Sequence, residues 1–289
     1  MKKYMTLEAN FKFRSMSNYI PDVVFSCVDG HELKMQLMLP RETDKAHPLF
    51  VFLQGSGWTY PNVYPKLPMF ADFSEKGIAV AMIVHRNRNK GYPAPAFLED
   101  AKTAVRFLRA NAAKYCIDKD RIIFGGSSSG GNTALLMGQT GDDPRYKTGE
   151  YPNESDAVMG VVDVCGPSDL IRFAAHIGGT DDWMKNDFCT SFCGADANFE
   201  QRAALLHEMS PLRIFENTRV LQPTLFIHGS EDKLVLPLET ETMLERLERE
   251  GCECYYLNVE GAKHDGDGMW SREVYDVILE FILGLTNKK

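Results

Sequence analysis

The sequence predicts an α/β protein built on a mostly parallel β-sheet with helices on both faces. The first observation is a set of solid apolar runs, of which Pro48–Gln54 and Ile78–Val84 are the clearest. Such runs are typical of strands that are buried on both faces. The second observation is that segments with helical spacing of apolar residues alternate with these runs. Strands that alternate with helices in this way form parallel sheets.

Strands are predicted along most of the chain. The first, Asp22–Cys27, precedes a stretch in which apolar and polar residues alternate, as they do in a half-buried strand. The predicted strand sequences, in chain order, are DVVFSC, ELKMQLMLP, PLFVFLQ, IAVAMIV, RIIFG, AVMGVVDVCG, PTLFIHG and CECYYLNVEG.

Helices are predicted between these strands. The segment FLEDAKTAVRFLRANAAKY repeats apolar residues at helical spacing and places Lys102, Arg106 and Arg109 on the opposite side. NTALLMG and LETETMLERLEREG are also typical of helices, and Gly251 ends the latter. The last predicted helix carries apolar residues at i, i+3, i+4, i+7 and i+8, namely Val274, Val277, Ile278, Phe281 and Ile282.

Two segments interrupt the alternation of strands and helices. Residues 140–156 are polar and rich in turn-forming residues, and a long insertion runs from about Pro167 to Arg219. Loops of this length usually carry function or close over a site. We expect residues 1–289 to form one domain, in which the insertion at about 167–219 makes a small cap or a wall of the substrate site.

Composition and charge exclude several classes of protein. The net charge of -8 disfavours binding to nucleic acid or to an anionic membrane surface. The longest apolar run, Ile78–Val84, is far shorter than the roughly 18 residues that span a bilayer. The amino-terminal residues lack the apolar core of a signal peptide, so we expect a cytoplasmic protein.

The cysteines predict neither a disulfide framework nor a metal site. There are seven, an odd number, and they are scattered along the chain. The sequences CTSFC and CEC lack a second Cys/His pair at the spacing of a zinc finger, whereas zinc takes about four ligands. We therefore expect reduced, structural thiols, and no metal or cofactor.

The sequence FGGSSSGGN, residues 124–132, lies between a predicted strand and a predicted helix. Within it, residues 126–130 fit the pattern G-x-S-x-G with Ser128 at the centre. A serine in this pattern sits on a sharp, strained turn above the sheet, and the glycines are needed because side chains there would clash. A phosphate-binding loop would require G-K-[ST], but Asn132 follows the glycines.

A serine nucleophile needs a base, and the base needs a carboxylate to orient it. In this fold class the chain order is Ser, then Asp or Glu, then His. Asp232 follows the predicted strand PTLFIHG and is favoured over its neighbour Glu231, while His264 follows the last predicted strand. The other six histidines precede the serine or lie in strands or in the insertion, where structural or exposed roles are expected.

The sequence FLQGSGWTYP follows the third predicted strand and is the candidate for an oxyanion-binding loop. Glycines at 55 and 57 allow close approach of the backbone. The N–H groups of Ser56 and Gly57 are therefore expected to join that of Ser129, at the start of the helix, in binding a developing oxyanion.

These segments together resemble the α/β-hydrolase superfamily, and in particular its carboxylesterase branch of feruloyl/acetyl-xylan-esterase-like and hormone-sensitive-lipase-like enzymes. LQGSGW is similar to the His-Gly-Gly-Gly-Trp loop of that branch, FGGSSSGG to its nucleophile turn, HGSEDKLVLP to its acid loop and EGAKHDGDGMW to its histidine loop. The resemblance covers nearly the whole chain. It implies an eight-stranded sheet and the triad Ser128, Asp232 and His264.

The chain departs from the family pattern at three positions. Gln54 stands where histidine is usual, and Ser56 where glycine is usual. Backbone donors survive both changes, but the hydrogen bonds that anchor the loop are put in question. Ser129 replaces the commoner alanine after the nucleophile, which we expect to be a small change.

The expected function is that of a serine hydrolase acting on small carboxylic esters, with short-chain acyl groups, including acetyl groups on carbohydrates, as the default substrate. An amide or formamide hydrolase and a non-catalytic ligand-binding homologue are the alternatives. Trp58, Trp183 and Trp270 are candidates for the substrate wall, although a core role is equally compatible with each.

Overall fold

Eight strands form one sheet in the order β1-β2-β4-β3-β5-β6-β7-β8. The computed structural model describes residues 17–179, 183–215, 222–266 and 268–287. The strands are β1 Asn18–Val28, β2 His31–Leu39, β3 His47–Leu53, β4 Ala79–Ile83, β5 Ile117–Ser127, β6 Gly160–Val164, β7 Thr224–Gly229 and β8 Cys254–Val259.

The sheet is mostly parallel, as predicted. β2 runs antiparallel to both of its neighbours, β1 and β4, and all the other neighbouring strands pair in parallel. A parallel sheet brings the carboxyl ends of its strands to one edge. The loops that follow β3, β5, β7 and β8 therefore meet at the same edge.

Helices cover the sheet. The helices are α1 Leu67–Glu75, α2 Ala96–Ala110, α3 Ala112–Tyr115, α4 Ser129–Gln139, α5 Leu170–Gly178, α6 Asp187–Cys193, α7 Phe199–Glu208, α8 Pro211–Ile214, α9 Pro237–Arg249 and α10 Arg272–Thr286. All seven residues of β3 are buried, so both faces of this central strand are covered. This explains why the residues from Pro48 to Leu53 are all apolar rather than alternating with polar ones.

The polar side of α2 is covered by protein. Lys102 and Arg106, which the sequence predicts opposite the apolar face, are both fully buried. Segment 140–156 folds over them, and the two oxygens of Asp156 accept from Lys102 Nζ and Arg106 Nη1, each at 2.7 Å. Buried charges require such pairing because their hydration is lost. The turn-rich segment is thus anchored by a buried ion-pair cluster.

The insertion contributes α5, α6, α7 and α8 between β6 and β7. Helix α7 packs on α5 and α6, while α8 packs between α4 and α9. Residues 180–182 and 216–219 of the predicted insertion lie outside the described residues. Among the helices that the structure describes, none is long and apolar enough to cross a membrane.

Candidate active site

Ser128 occupies a strained turn between β5 and α4. Its backbone has φ 54° and ψ -120°, a conformation that non-glycine residues seldom adopt. The Ser128 N–H donates to Val164 O at 2.8 Å, and the Asn132 N–H donates to Ser128 O at 3.1 Å. The turn is thereby fixed to β6 on one side and to the first turn of α4 on the other.

The flanking glycines are required because strand, turn and helix touch there. A Cβ on Gly126 would lie 2.2 Å from the carbonyl oxygen of Gly130, and a Cβ on Gly130 would lie 2.0 Å from that of Leu53. Leu53 pairs with Gly126 in the parallel register of β3 and β5. This register also places the loop that follows β3 beside Ser128.

The structure brings the three predicted catalytic residues together. His264 Nε2 lies 2.8 Å from Ser128 Oγ, and His264 Nδ1 lies 2.6 Å from Asp232 Oδ2. Ser128 and His264 are half-buried, whereas Asp232 is only 3% exposed. The competing carboxylate, Glu231, is exposed.

Asp232 is held as a carboxylate by its surroundings. Its Oδ1 accepts from the backbone N–H groups of Leu234 and Val235, at 2.9 and 3.0 Å. Burial acts to raise the pKa of Asp232, but hydrogen bonds from His228 and His264 outweigh it and hold this pKa well below its usual range. Asp232 is therefore ionised and accepts hydrogen bonds on both oxygens.

His228 is a component of the site that the sequence did not indicate. Its Nε2 lies 2.9 Å from Val235 O and 3.3 Å from Asp232 Oδ2. Because both neighbours are acceptors, Nε2 carries the proton, and Nδ1 accepts from Thr240 Oγ1 at 2.8 Å. His228 thus donates to the same carboxylate oxygen as His264. His228 ends a buried strand, and no sequence pattern there predicts its contact with Asp232.

The candidate oxyanion loop, within residues 52–61 and called the oxyanion loop below, differs from the prediction at Ser56. The Ser56 N–H already donates to Ser129 Oγ at 2.9 Å. Within the described ranges, the N–H groups of Gly57 and Ser129 have no protein acceptor. The Ser129 hydroxyl thus accepts the N–H of Ser56, one of the three predicted oxyanion donors, and whether Ser129 is a small change stays a prediction.

Arg88 holds the far side of this loop. Its Nε donates to Gly57 O at 2.7 Å, and its backbone N–H donates to Trp58 O at 3.1 Å. Gly57 has φ 59°, which a residue without a side chain adopts at no steric cost. The carbonyl groups of the loop are thus fixed to the chain that follows β4.

Trp58 does not line an open substrate wall, contrary to one of the predictions. It is 2% exposed and packs against four phenylalanines of α2, α5 and α6, namely Phe97, Phe173, Phe188 and Phe192. These rings enclose the indole because the insertion lies directly on the oxyanion loop. The side chain of Trp183 lies outside the described residues.

Trp270 and Asp265 form a polar cluster behind the histidine. The Trp270 Nε1–H donates to Asp265 Oδ1 at 2.7 Å, and Lys66 Nζ lies 2.7 Å from the same oxygen. Lys66 Nζ also lies 3.7 Å from the centroid of the Trp270 ring. Trp270 is half-buried and packs against Phe52. Its polar contact is with Asp265, and neither Asp265 nor Lys66 was among the predicted site residues.

Cys165 is the described cysteine that comes closest to a metal-binding arrangement. Its Sγ, an Asp232 oxygen and a His264 nitrogen lie within 4.8 Å of one another. Burial raises the pKa of the Cys165 thiol, and the neighbouring carboxylates raise it further. Metal ligation requires the thiolate. Asp232 and His264 moreover already bond to each other, so this geometry fits the hydrogen-bonded triad better than a metal site.

The sequence pattern of the BD-FAE family matches residues 35–247, which is more than half of the 289 residues. The chain belongs to the BD-FAE family. The matched part includes the oxyanion loop, Ser128 and Asp232. His264 lies beyond it.

Individual relatives of this BD-FAE chain are esterases by name. Esterase LipC of Mycobacterium tuberculosis is 26% identical over 226 residues, which cover 77% of this chain and 54% of LipC. A truncated form of carbohydrate esterase from gut microbiota superposes with a TM-score of 0.78 at 24% identity, covering 95% of this chain and 98% of that one. A bifunctional GH43-CE of Bacteroides eggerthii gives a TM-score of 0.74 at 26% identity, covering 93% and 38%.

These comparisons confirm that the chain has the α/β-hydrolase fold. The BD-FAE chain spans about half the length of the curated relatives it matches first, 54% and 48%.

Replacing Gly126 by alanine tests the close contact at the turn. Because the new methyl group would overlap the Gly130 carbonyl, we expect Gly126→Ala to lower the free energy of unfolding by more than about 2 kcal/mol. Gly149→Ala is the matched control, since no heavy atom lies within 4 Å of the Cβ that it adds. Denaturant unfolding of both variants measures the difference. Equal stability of the two would contradict the close packing described here.

Proposed function

We propose that the chain is a carboxylic-ester hydrolase that forms an acyl-enzyme on Ser128. The observation that carries this proposal is the position of His264, whose ring nitrogens contact Ser128 Oγ at 2.8 Å and Asp232 Oδ2 at 2.6 Å. A serine hydroxyl is a weak nucleophile until an adjacent base takes its proton. The contact among all three groups supports a catalyst over a non-catalytic binding homologue.

The proposed reaction has two halves. His264 Nε2 accepts the Ser128 proton as Oγ attacks the carbonyl carbon, and it then passes that proton to the departing alcohol oxygen. Water next gives a proton to Nε2 and attacks the acyl carbon, which releases the carboxylic acid and restores the Ser128 hydroxyl. Asp232 keeps Nδ1 protonated throughout and stabilises the imidazolium. The proposed chemistry uses these side chains and water.

The backbone donors of Gly57 and Ser129 are proposed to bind the oxyanion. Both N–H groups are without a protein acceptor in the described structure, and Ser129 opens α4, where the helix dipole favours negative charge. One such donor is typically worth about 3 kcal/mol of transition-state stabilisation. Ser56 becomes a third donor only when the Ser129 hydroxyl moves away from it.

We propose short acyl esters as substrates, including acetyl groups on carbohydrates. The support is that two similar solved structures are described as a carbohydrate esterase and a GH43-CE protein. The insertion is proposed as one wall of the site, because the phenylalanines of α5 and α6 pack against Trp58, which directly follows Gly57 in the oxyanion loop.

Hydrolysis of p-nitrophenyl esters from acetate to decanoate tests the proposed activity. We expect turnover of the short esters and a loss of at least about 10³-fold in kcat for Ser128→Ala, because no other group replaces the nucleophile. Ser155→Ala, in segment 140–156, is the control and should keep full activity. If the wild type leaves every ester intact, the esterase proposal is wrong, and amides and formamides become the substrates to test.

Replacing Ser129 by alanine separates the two roles of that residue. Loss of its hydroxyl leaves the Ser56 N–H without an acceptor in the free enzyme, which should cost about 1 kcal/mol of stability. The freed N–H can then bind the oxyanion, so we expect kcat/KM for p-nitrophenyl acetate to rise severalfold while the melting temperature falls. A fall in both quantities would show that the hydroxyl chiefly holds the loop in its active position.

A further inference from the structure

The carboxylate of Asp265 joins three parts of the site at once. Its Oδ1 accepts from Lys66 Nζ and Trp270 Nε1, each at 2.7 Å, and its Oδ2 accepts from Gln54 Nε2 and Ser127 Oγ, each at 3.0 Å. Each oxygen thus has two donors. Gln54 opens the oxyanion loop, Ser127 directly precedes the nucleophile, and Asp265 itself directly follows the histidine.

We propose that Asp265 is a positioning residue that holds the oxyanion loop in register with the nucleophile and the histidine. The inference rests on the proposed hydrolase function, which supplies the activity to be measured. Asp265 touches neither the Ser128 hydroxyl nor the ring of His264 in the described contacts. Asp265 is proposed to act through its neighbours in the chain, such as His264, and through the side chains to which it is hydrogen-bonded.

Ser127 carries the connection into the oxyanion loop. Its hydroxyl donates to Asp265 Oδ2 and accepts from the Gly55 N–H at 3.1 Å. The loop is therefore tied at two successive residues, by the Gln54 side chain and by the Gly55 backbone. A Cβ on Gly55 would lie 2.7 Å from that of Ser128 and 3.2 Å from Asp265 Oδ2, so the loop lies directly against both.

Lys66 offsets the energetic cost of burying the Asp265 carboxylate. The side chains of Lys66 and Asp265 are 11% and 14% exposed, so both charges have lost most of their hydration. A carboxylate in such a place is costly unless it is paired and its lone pairs are satisfied. The ammonium of Lys66 and three neutral donors meet that requirement.

The side chains of Gln54 and Asp265 form a hydrogen-bonded pair that joins the oxyanion loop to the histidine loop. Gln54 stands where the related carboxylesterases usually have histidine, and its side-chain nitrogen reaches Asp265 across 211 positions in the sequence. Its carbonyl oxygen, Oε1, is buried without a partner among the described residues. The hydrogen bond from Gln54 to Asp265 thus anchors the loop in this chain, although glutamine replaces the usual histidine.

The experiment compares Asp265→Asn, Gln54→Ala and the double variant with the wild type on p-nitrophenyl acetate. Small misplacements of catalytic groups cost up to about 100-fold in rate, so we expect Asp265→Asn to lower kcat by about 10- to 100-fold with KM nearly unchanged. If the two residues act through one link, the double variant loses little more than Asp265→Asn alone.

Asp156→Asn is the matched control, because Asp156 is also a buried carboxylate in an ion-pair cluster but lies in segment 140–156. We expect it to lower the melting temperature and to leave kcat unchanged at temperatures where it is folded. Equal kcat for Asp265→Asn and the wild type, or fully additive losses in the double variant, would overturn the proposal.

Hydrogen exchange measured by mass spectrometry provides a readout that does not need activity. Asp265→Asn should speed amide exchange in the peptide that covers residues 54–60, and Asp156→Asn should not. Unchanged exchange there would overturn the positioning role even if the protein hydrolysed no ester. Inert wild-type protein with faster exchange in Asp265→Asn would instead refute the proposed function and leave the link between the loops standing.

Discussion

The site depends on one steric constraint, the contact between the turn after β5 and the end of β3. Gly126 and Gly130 leave no room for a side chain between strand, turn and helix. Ser128, between these two glycines, has φ 54°, and the first residue of α4 lies beside the loop that begins at Gln54. The same packing thus positions Ser128 and the N–H groups that are proposed to bind the oxyanion.

The carboxylates of Asp232 and Asp265 lie near His264, and they differ in the groups to which they are hydrogen-bonded. Asp232 lies within hydrogen-bond distance of His228 and His264, and in the proposed mechanism it orients the imidazole and stabilises its cation. Asp265 is compensated by Lys66, and its other bonds lead to the oxyanion loop and to Ser127. A carboxylate that already accepts four hydrogen bonds has no free lone pair for the His264 ring. In the proposed mechanism Asp232 therefore assists the base His264, whereas Asp265 holds the neighbouring loops in position.

The sequence was sufficient for the sheet and for the meeting of Ser128, Asp232 and His264, because each follows a predicted strand of a parallel sheet. Contacts between side chains far apart in the chain were not predictable in this way. The Ser129 hydroxyl reaches Ser56, Asp265 reaches Gln54, and burial of Lys102 depends on Asp156, with separations of 73, 211 and 54 positions. Periodicity reports which face of an element is apolar, but not which distant polar group covers the other face.

Covalent labelling with a fluorophosphonate, followed by peptide mapping, tests the central claim most directly. Such reagents react with a serine only when a base activates it, so the account predicts one adduct per chain, located on Ser128. The adduct should be lost in Ser128→Ala and form far more slowly in His264→Gln, because that glutamine cannot accept the proton. Labelling at another residue, or labelling of Ser128 at the same rate without His264, would contradict the arrangement proposed here.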